Sequence, residues 1–240
     1  TAADADCIRQ MIHNPYRPGA PRTRTYLHLM RTAARMFEPA QLEELVPRVR
    51  GGPALAETDG QGLEALDPLA ATEAIAYDFL TAGGKHSRPF ITLAVYDALT
   101  GGRCTAADGA SAAAQLPEAV KRVAVAIEIF HKASLIHDDV EDDDHYRYGR
   151  PTLHQRFGAA VAINVGDYLL GLGYRLVAAQ RHHLGAETIG DVLAEFAAAH
   201  ARLAEGQGAE LIWRRARGKR ITPLEALKIY ALKTAPAFEA

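Results

Sequence analysis

Apolar side chains recur at steps of three and four residues along most of this chain, whereas alternating β-branched runs are scarce. Such spacing is typical of helices that bury one face. Together with the frequent alanine and leucine, the pattern predicts an all-α protein. The predicted helices cover residues 26–46, 69–80, 89–99, 117–142, 157–177 and 189–213, and a last helix begins near residue 222.

Prolines and glycines mark where these helices break or begin. Pro39 is expected to break the first helix, because a proline ring clashes with the preceding turn. Gly83 and Gly84 predict the end of the second helix, since glycine readily adopts the left-handed backbone of a helix terminus. Thr222 and Pro223 are expected as the N-cap and the first residue of the last helix.

Two segments lack helical spacing. Residues 1–24 contain several prolines and arginines, which predicts an irregular N-terminal arm that packs on a partner subunit, touches acidic lipid or makes no contact. Residues 51–68 are rich in glycine and predict either a loop or a short pair of helices. We therefore expect the folded domain to occupy residues 25–240.

Composition narrows the class of protein. A chain of 240 residues that is 48% hydrophobic can bury one core, so a single domain is expected. A net charge of −2 gives no general attraction to nucleic acid. Cys7 and Cys104 show no metal-binding or redox spacing, which favours a reducing cytoplasm. No secretory leader is recognised and no apolar run reaches the ~18 residues of a transmembrane segment.

One predicted helix carries an unusual polar stripe. Glu128, His131, Leu135, Asp138 and Asp142 follow one another at steps of three and four, so they lie on one face of the helix. Buried stripes are normally apolar throughout. A histidine followed by acids on this face therefore indicates a function.

The acids dominate the end of that helix, because five of the seven residues 138–144 are aspartates. Asp138 and Asp142 lie one turn apart and repel each other unless a cation joins them. Mg²⁺ suits this pair, since it binds a few carboxylates together with water and phosphate oxygens. Arg147 and Arg150 follow, and their planar guanidinium groups bind phosphate as a fork. The alternative is a solvated acidic helix end.

A second candidate site is the segment GGKHSRP, from Gly83 to Pro89. Pro89 is expected at the first position of the next helix, whose free N–H groups attract anions. Lys85 and Arg88 would lie beside that positive end. The alternative is a simple connection between two helices.

These motifs together resemble the trans-isoprenyl diphosphate synthases, or polyprenyl synthetases. The DDxxD motif of that family is matched by Asp138, Asp139 and Asp142, and the family's RRGxPTxH is similar to RYGRPTLH at residues 147–154. Tyr148 stands where the second arginine is usual, which removes a fixed cation from the isopentenyl side unless Arg150 compensates. The resemblance covers roughly Ala70 to Ala240.

The resemblance implies the isoprenoid synthase type I fold, a single-domain bundle of long helices around a deep central cavity, and a homodimer. It also implies a Mg²⁺-dependent prenyltransferase. Such an enzyme condenses isopentenyl diphosphate with an allylic diphosphate, head to tail, to give a trans-polyprenyl diphosphate.

Individual roles follow from the same resemblance. Magnesium would be held by Asp138, Asp139 and Asp142. The diphosphate of isopentenyl diphosphate would be bound by Lys85, Arg88 and His131. The allylic diphosphate would be bound by Arg147, Lys233 and Thr234. The catalytic set would comprise Asp138, Asp142, Arg147 and Lys233.

Further residues are assigned supporting roles by the resemblance. Asp167 would support the residues that contact the ligands without contacting the ligands itself. Gln207 and Glu210 match a GQxxD/E segment of the family. Ala133 and Ser134 would form the floor that limits product length. Because both are small, the product is expected to be C20 or longer.

The family's second aspartate-rich motif is not found before Ala240, so the domain is expected to be incomplete at its C-terminus. Two other functions therefore remain open. A class I terpene cyclase also uses DDxxD and Mg²⁺, but it has no second diphosphate for Lys85, Arg88 and His131 to bind. A non-catalytic partner subunit that binds prenyl diphosphate is the other alternative.

Overall fold

A computed structural model describes residues 25–51, 55, 67–216, 218 and 220–236. The predicted N-terminal arm and most of the segment 51–68 lie outside these residues. The helices are α1 (Leu27–Arg35), α2 (Pro39–Leu45), α3 (Pro68–Thr81), α4 (Ser87–Leu99), α5 (Ala110–Ala114), α6 (Glu118–Glu141), α7 (Leu153–Phe157), α8 (Ala159–Ala178), α9 (Arg181–Leu184), α10 (Ala186–Arg215) and α11 (Pro223–Thr234).

The all-α prediction is confirmed. Pro39 begins α2 after a break, as expected of a proline at a helix start. The last helix begins with a capping box, in which Thr222 accepts from the Glu225 N–H and the Glu225 side chain accepts from the Thr222 N–H. Sequence spacing missed one short hairpin, in which β1 (Tyr146–Arg147) pairs antiparallel with β2 (Arg150–Pro151).

The chain divides into two compact units, residues 1–176 and 177–240. In the first unit, α4 packs on α1 and α6. Leu29 of α1, Leu93 of α4 and Ile129 of α6 are each fully buried there. Helix α6 thus supplies a central surface to this core, because its apolar stripe faces neighbouring helices.

In the second unit, α11 packs along α10. Gly206 permits the close approach, since a side-chain carbon at that position would collide with the backbone of Leu232 and Lys233. No helix in the described residues is both long enough and apolar enough to cross a membrane.

Candidate active site

The acidic end of the site, defined as residues 138–144, lies where α6 stops. Asp142 caps the helix, and its N–H donates to the Asp138 carbonyl at 2.8 Å. This bond keeps the two carboxylates one turn apart, as their spacing predicted. Both residues are half-buried, whereas Asp143 is exposed and has a left-handed backbone at φ +54°. The acidic end is thus an ordered turn that solvent can reach.

Asp139 points the other way and is only 2% exposed. Arg147 donates to its Oδ1 from Nε at 2.9 Å and also from Nη2. The same Nη2 reaches Asp144 Oδ2 at 3.3 Å. Burial raises the pKa of Asp139, although the hydrogen bond and the charge of Arg147 act in the opposite direction. Arg147 is therefore fixed beside the acidic end by a buried carboxylate.

The hairpin carries Arg147 and Tyr148 next to each other. Its turn is made by Tyr148 at φ +54° and Gly149 at φ +75°, so a bulky residue adopts a conformation that usually favours glycine. The hairpin is also held at its far strand, because Arg150 Nη2 donates to Asp78 Oδ2 of α3 at 2.8 Å. Arg150 is thus engaged with α3.

The segment 83–88 runs from the end of α3 into the first turn of α4. Gly83 and Gly84 have φ values of +106° and +131°, and His86 caps α4 with φ +47°. The His86 ring stacks on Phe37 with 4.4 Å between ring centroids. Its stacked position orients the turn. Lys85 is exposed at the start of α4.

Arg88 is half-buried in the first turn of α4. Burial lowers the pKa of its guanidinium, with the Glu128 charge opposing that effect. The predicted phosphate-binding cations therefore do lie at a helix N-terminus, the position where free N–H groups favour anions.

A buried polar cluster lies on α6, two to three turns before the acids, and comprises Glu128, His131 and Lys132. Glu128 is 2% exposed, with its Oε1 3.7 Å from His86 Nδ1. Burial by itself raises the pKa of Glu128, but its neighbours His86, His131 and Lys132 bring that pKa below its ordinary value. The cluster thus contains a buried carboxylate.

His131 carries no charge at neutral pH. Burial, then the positive charge of Arg88, lowers the pKa of His131 to about 4. Its own carbonyl accepts from Ser134 Oγ at 2.8 Å. A neutral imidazole can still donate one N–H to a phosphate oxygen, so the predicted binding role requires a hydrogen bond rather than an ion pair.

Lys132 was missed by sequence reasoning. It is fully buried and lies on the most buried stripe of α6, with Val125, Ile129, Ile136 and Asp139. Its Nζ donates to the Phe79 carbonyl at 3.3 Å and to the Gly83 carbonyl. The signal was present, because a lysine interrupts an otherwise apolar stripe at helical spacing.

The predicted floor residues lie on the same helix. Ala133 is fully buried, and Ser134 is half-buried. Phe130 is buried against Tyr174 of α8, with ring centroids 4.8 Å apart. Gly173 lies against Phe130, since a side-chain carbon there would be 2.6 Å from the ring. Asp167, the predicted supporting acid, has its Oδ1 3.4 Å from His137 Nε2.

The remaining predicted residues belong to the second unit. Lys233 Nζ donates to Glu210 Oε2 at 2.9 Å, and Arg214 also donates to Glu210. The hydrogen bond from Lys233 lowers the pKa of Glu210. Thr234 is the last residue of α11. The sequence-predicted Lys233 and Glu210 are therefore joined to each other within this unit, and Gln207 lies on the same helix as Glu210.

The donor chemistry of the acidic end fits a magnesium ion. Asp138 and Asp142 offer carboxylate oxygens, and the buried Asp139 Oδ2 has no hydrogen-bond partner among the described residues. No group of three histidine, cysteine, aspartate or glutamate side chains in the described part of the chain converges as a metal cage. Mg²⁺ does not need one, since it commonly binds one or two carboxylates and completes its shell with water and phosphate.

Residues 70–240 match the sequence pattern of the polyprenyl synthetase family. The geranylgeranyl diphosphate synthase of Cyanophora paradoxa is 36% identical over 178 residues, which cover 72% of this chain and 54% of that protein. The farnesyl diphosphate synthase of Geobacillus stearothermophilus is 42% identical over 112 residues, or 46% of this chain and 33% of that protein. The chain thus spans about half the length of the first of these relatives, and less of the second.

Solved structures are similar in fold. The geranylgeranyl pyrophosphate synthetase of the archaeon Geoglobus acetivorans aligns with a TM-score of 0.63 and 25% identity, covering 86% of this chain and 55% of that one. The polyprenyl synthase of Caulobacter crescentus, in complex with calcium and isoprenyl diphosphate, aligns with a TM-score of 0.61 and 26% identity. That alignment covers 90% of this chain and 53% of the other.

Proposed function

This chain belongs to the polyprenyl synthetase family, and from that premise we propose that it is a prenyltransferase. It condenses isopentenyl diphosphate with an allylic diphosphate, head to tail, to give a trans-polyprenyl diphosphate. The observation that carries the proposal is the acidic end of α6, where Asp138 and Asp142 lie one turn apart and Arg147 is fixed beside them. The relatives named above as geranylgeranyl and farnesyl diphosphate synthases support this reaction class.

Asp138 and Asp142 would hold the metal, whereas Asp139 points into the protein, where its Oδ1 accepts from Arg147. When bound, Mg²⁺ neutralises charge on the departing diphosphate as a Lewis acid. The calcium and isoprenyl diphosphate bound by the Caulobacter crescentus protein support a divalent ion and a prenyl diphosphate as the ligands. Arg147 adds a fixed cation, and we assign Lys233 and Thr234 of the second unit as further ligands of the allylic diphosphate.

The reaction breaks the C–O bond between the allylic carbon and its diphosphate, which leaves an allylic cation. The double bond of isopentenyl diphosphate attacks that carbon and forms the new C–C bond. A proton then leaves the adduct and passes to the released diphosphate. Lys85, Arg88 and His131 bind the second diphosphate and orient the attacking double bond, so positioning supplies a large part of the rate.

Product length depends on the buried face of α6. Ala133 and Ser134 are small, which leaves Phe130 as the first bulky side chain along this face. We therefore assign a product of C20 or longer. Geranylgeranyl diphosphate, the product named for several relatives, has that length.

A homodimer and a reducing, cytoplasmic location complete the proposal. The thiol of Cys104 is free and buried, which suits a reducing compartment. Sedimentation equilibrium of the purified chain tests the dimer, and a monomer at micromolar concentration would contradict it.

The reaction is tested by replacing one carboxylate of the acidic end. Asp138→Asn should lower kcat by ~10²- to 10³-fold and reduce the response to Mg²⁺, because it removes a charged ligand. Asp143→Asn is the matched control, since its side chain is 80% exposed and contacts His154, and it should change kcat by less than about threefold. Equal losses in both variants would contradict the assignment.

The two other functions are distinguished by the substrate supplied. Geranylgeranyl diphosphate given alone should remain unchanged, whereas a terpene cyclase would convert it to a hydrocarbon. Condensation by the purified chain would exclude a non-catalytic partner subunit.

A further inference from the structure

Two polar side chains interrupt the buried stripe of α6, and each is covered by the same hairpin. Asp139 receives Arg147, as described above. Two turns earlier, the Lys132 ammonium lies 4.2 Å from the centroid of the Tyr148 ring. Adjacent hairpin residues therefore cover a buried acid and a buried base on one helix.

The Lys132 ammonium is also bound to the end of α3. Its acceptors are the carbonyls of Phe79 and Gly83, which lie at a helix C-terminus, where a cation is favourable. The Phe79 ring centroid is 5.3 Å away. Carbonyl oxygens and aromatic faces thus surround this charge, and both stabilise an ammonium ion.

The Tyr148 ring also lies close to the Gly83 turn. A side-chain carbon built on Gly83 would be 3.9 Å from the Tyr148 ring. Lys132 and Tyr148 together therefore hold the first residue of the segment that carries Lys85 and Arg88. Loss of the ammonium would leave the half-buried Gly83 carbonyl without this donor and free the turn to move.

We propose that Lys132, covered by the Tyr148 ring, is a positioning residue that fixes the Gly83 turn and thereby the anion site formed by Lys85 and Arg88. The inference rests on the proposed function, in which Lys85 and Arg88 bind isopentenyl diphosphate. It also accounts for Tyr148, which stands where the family has an arginine. A guanidinium at that position would lie against the Lys132 ammonium and repel it.

The primary test compares Lys132→Met with Lys121→Met. Lys121 is a half-buried lysine of the same helix that also donates to a backbone carbonyl, that of Ala114, through an exposed hydrogen bond. Hydrogen exchange of the amides at residues 83–88 should become about tenfold faster in Lys132→Met, because the turn loses its anchor, and should stay unchanged in Lys121→Met. This readout needs no ligand.

Binding is then measured by calorimetry without metal, using isopentenyl diphosphate and inorganic pyrophosphate as probes. Lys132→Met should raise both Kd values about tenfold, as expected for a lost charge-assisted hydrogen bond. Tyr148→Ala should also raise both Kd values, and it does so without a change in the sequence of α6. Tyr148→Phe keeps the ring and should bind both probes like the wild-type chain.

A double-mutant cycle separates positioning from simple charge. If Lys132 acts through Lys85, the Lys85→Ala and Lys132→Met losses should combine to clearly less than their product. Multiplicative losses would overturn the inference, as would unchanged exchange or unchanged affinity in Lys132→Met.

The failure of the proposed function gives a different result. Lys132-dependent binding of both probes without any condensation product would support the inference and contradict the reaction. Condensation with Lys132-independent binding would support the reaction and overturn the inference. A wild-type chain that binds neither probe would overturn both.

Discussion

The acidic end and the buried polar cluster are both groups of charged side chains on α6, but they differ in what surrounds them. At the acidic end, Asp138 and Asp142 remain accessible to solvent beside an arginine held by Asp139. In the cluster, Glu128 and Lys132 are almost completely buried. The side chains of the acidic end can bind a ligand in place of water, whereas those of the cluster keep their contacts within the protein.

Under the proposed function, this difference would let one helix serve two substrates. Carboxylates that solvent can reach can take a metal and release it, because water replaces the lost ligand at little cost. Buried charges keep their partners, since leaving one unpaired costs several kcal/mol. The cluster therefore supplies rigidity to the 83–88 turn, and the acidic end supplies exchangeable ligands.

The largest expected effect concerns the pH dependence of stability. Burial lowers the pKa of Lys132 from its ordinary value of 10.5 to about 8, and the negative charge of Glu128 opposes that shift. Between pH 8 and 10.5 the unfolded chain therefore binds a proton that the native chain has released, so this group makes the protein more stable as pH rises. From pH 8 to pH 10.5, the free energy of unfolding should therefore rise by ~3 kcal/mol more in the wild-type chain than in Lys132→Met.

Urea unfolding of both chains from pH 7 to 10.5 measures this difference. Glu128 is the charged group that acts on Lys132, the neutral Tyr148 and His131 lie near it, and all three are present in both chains. A difference that stays flat across the range would contradict the burial of a charged Lys132. Lys121→Met serves as the control for loss of a lysine from the same helix.

Glu128→Gln should be the next largest change. It removes the buried negative charge beside His86 and Lys132 and should lower the free energy of unfolding by ~2 kcal/mol. Asp143→Asn at the acidic end should change it by less than ~0.5 kcal/mol, because an exposed ion pair contributes little. Equal effects in urea unfolding would remove the distinction between the two regions.

Ala133→Phe tests whether the buried face of α6 limits the product. A ring at this fully buried position should shorten the prenyl chain and cost roughly 1–3 kcal/mol of stability through overpacking. Ser134→Ala, a small change on the same face, should leave the product unaltered. Product analysis by chromatography decides, and an unchanged chain length in Ala133→Phe would refute the floor assignment.

The smallest effect is expected for His131→Gln. Because the pKa of His131 is about 4, its imidazole is neutral above pH 5 and acts as a hydrogen-bond donor. Glutamine also donates an N–H and should keep the Kd for isopentenyl diphosphate within about threefold, whereas His131→Leu should raise it about tenfold. A wild-type affinity that strengthens sharply from pH 7 to pH 5, but not in His131→Gln, would contradict a neutral histidine.

Local sequence rules predicted much of this molecule. The spacing of apolar residues predicted the helices, and proline or threonine marked the starts of α2 and α11, because these preferences act within a few residues. The same rules predicted that Asp138 and Asp142 lie one turn apart on one helix face, since positions four apart on a helix are neighbours. The match of Lys85 and Arg88 to a helix start is also local.

Tertiary structure alone decided the partners of the buried charges. Lys132 donates to carbonyls that are 53 and 49 residues away in sequence, at Phe79 and Gly83, and no periodicity encodes such a contact. Likewise, Asp139 differs from Asp138 only in the direction in which the helix points it, toward Arg147 and the protein interior. The sequence by itself determined which residues share a helix face. Packing determined which of those faces were buried, and burial set the charge of His131 and the positions of Lys132 and Asp139, because desolvation depends on neighbours from distant parts of the chain.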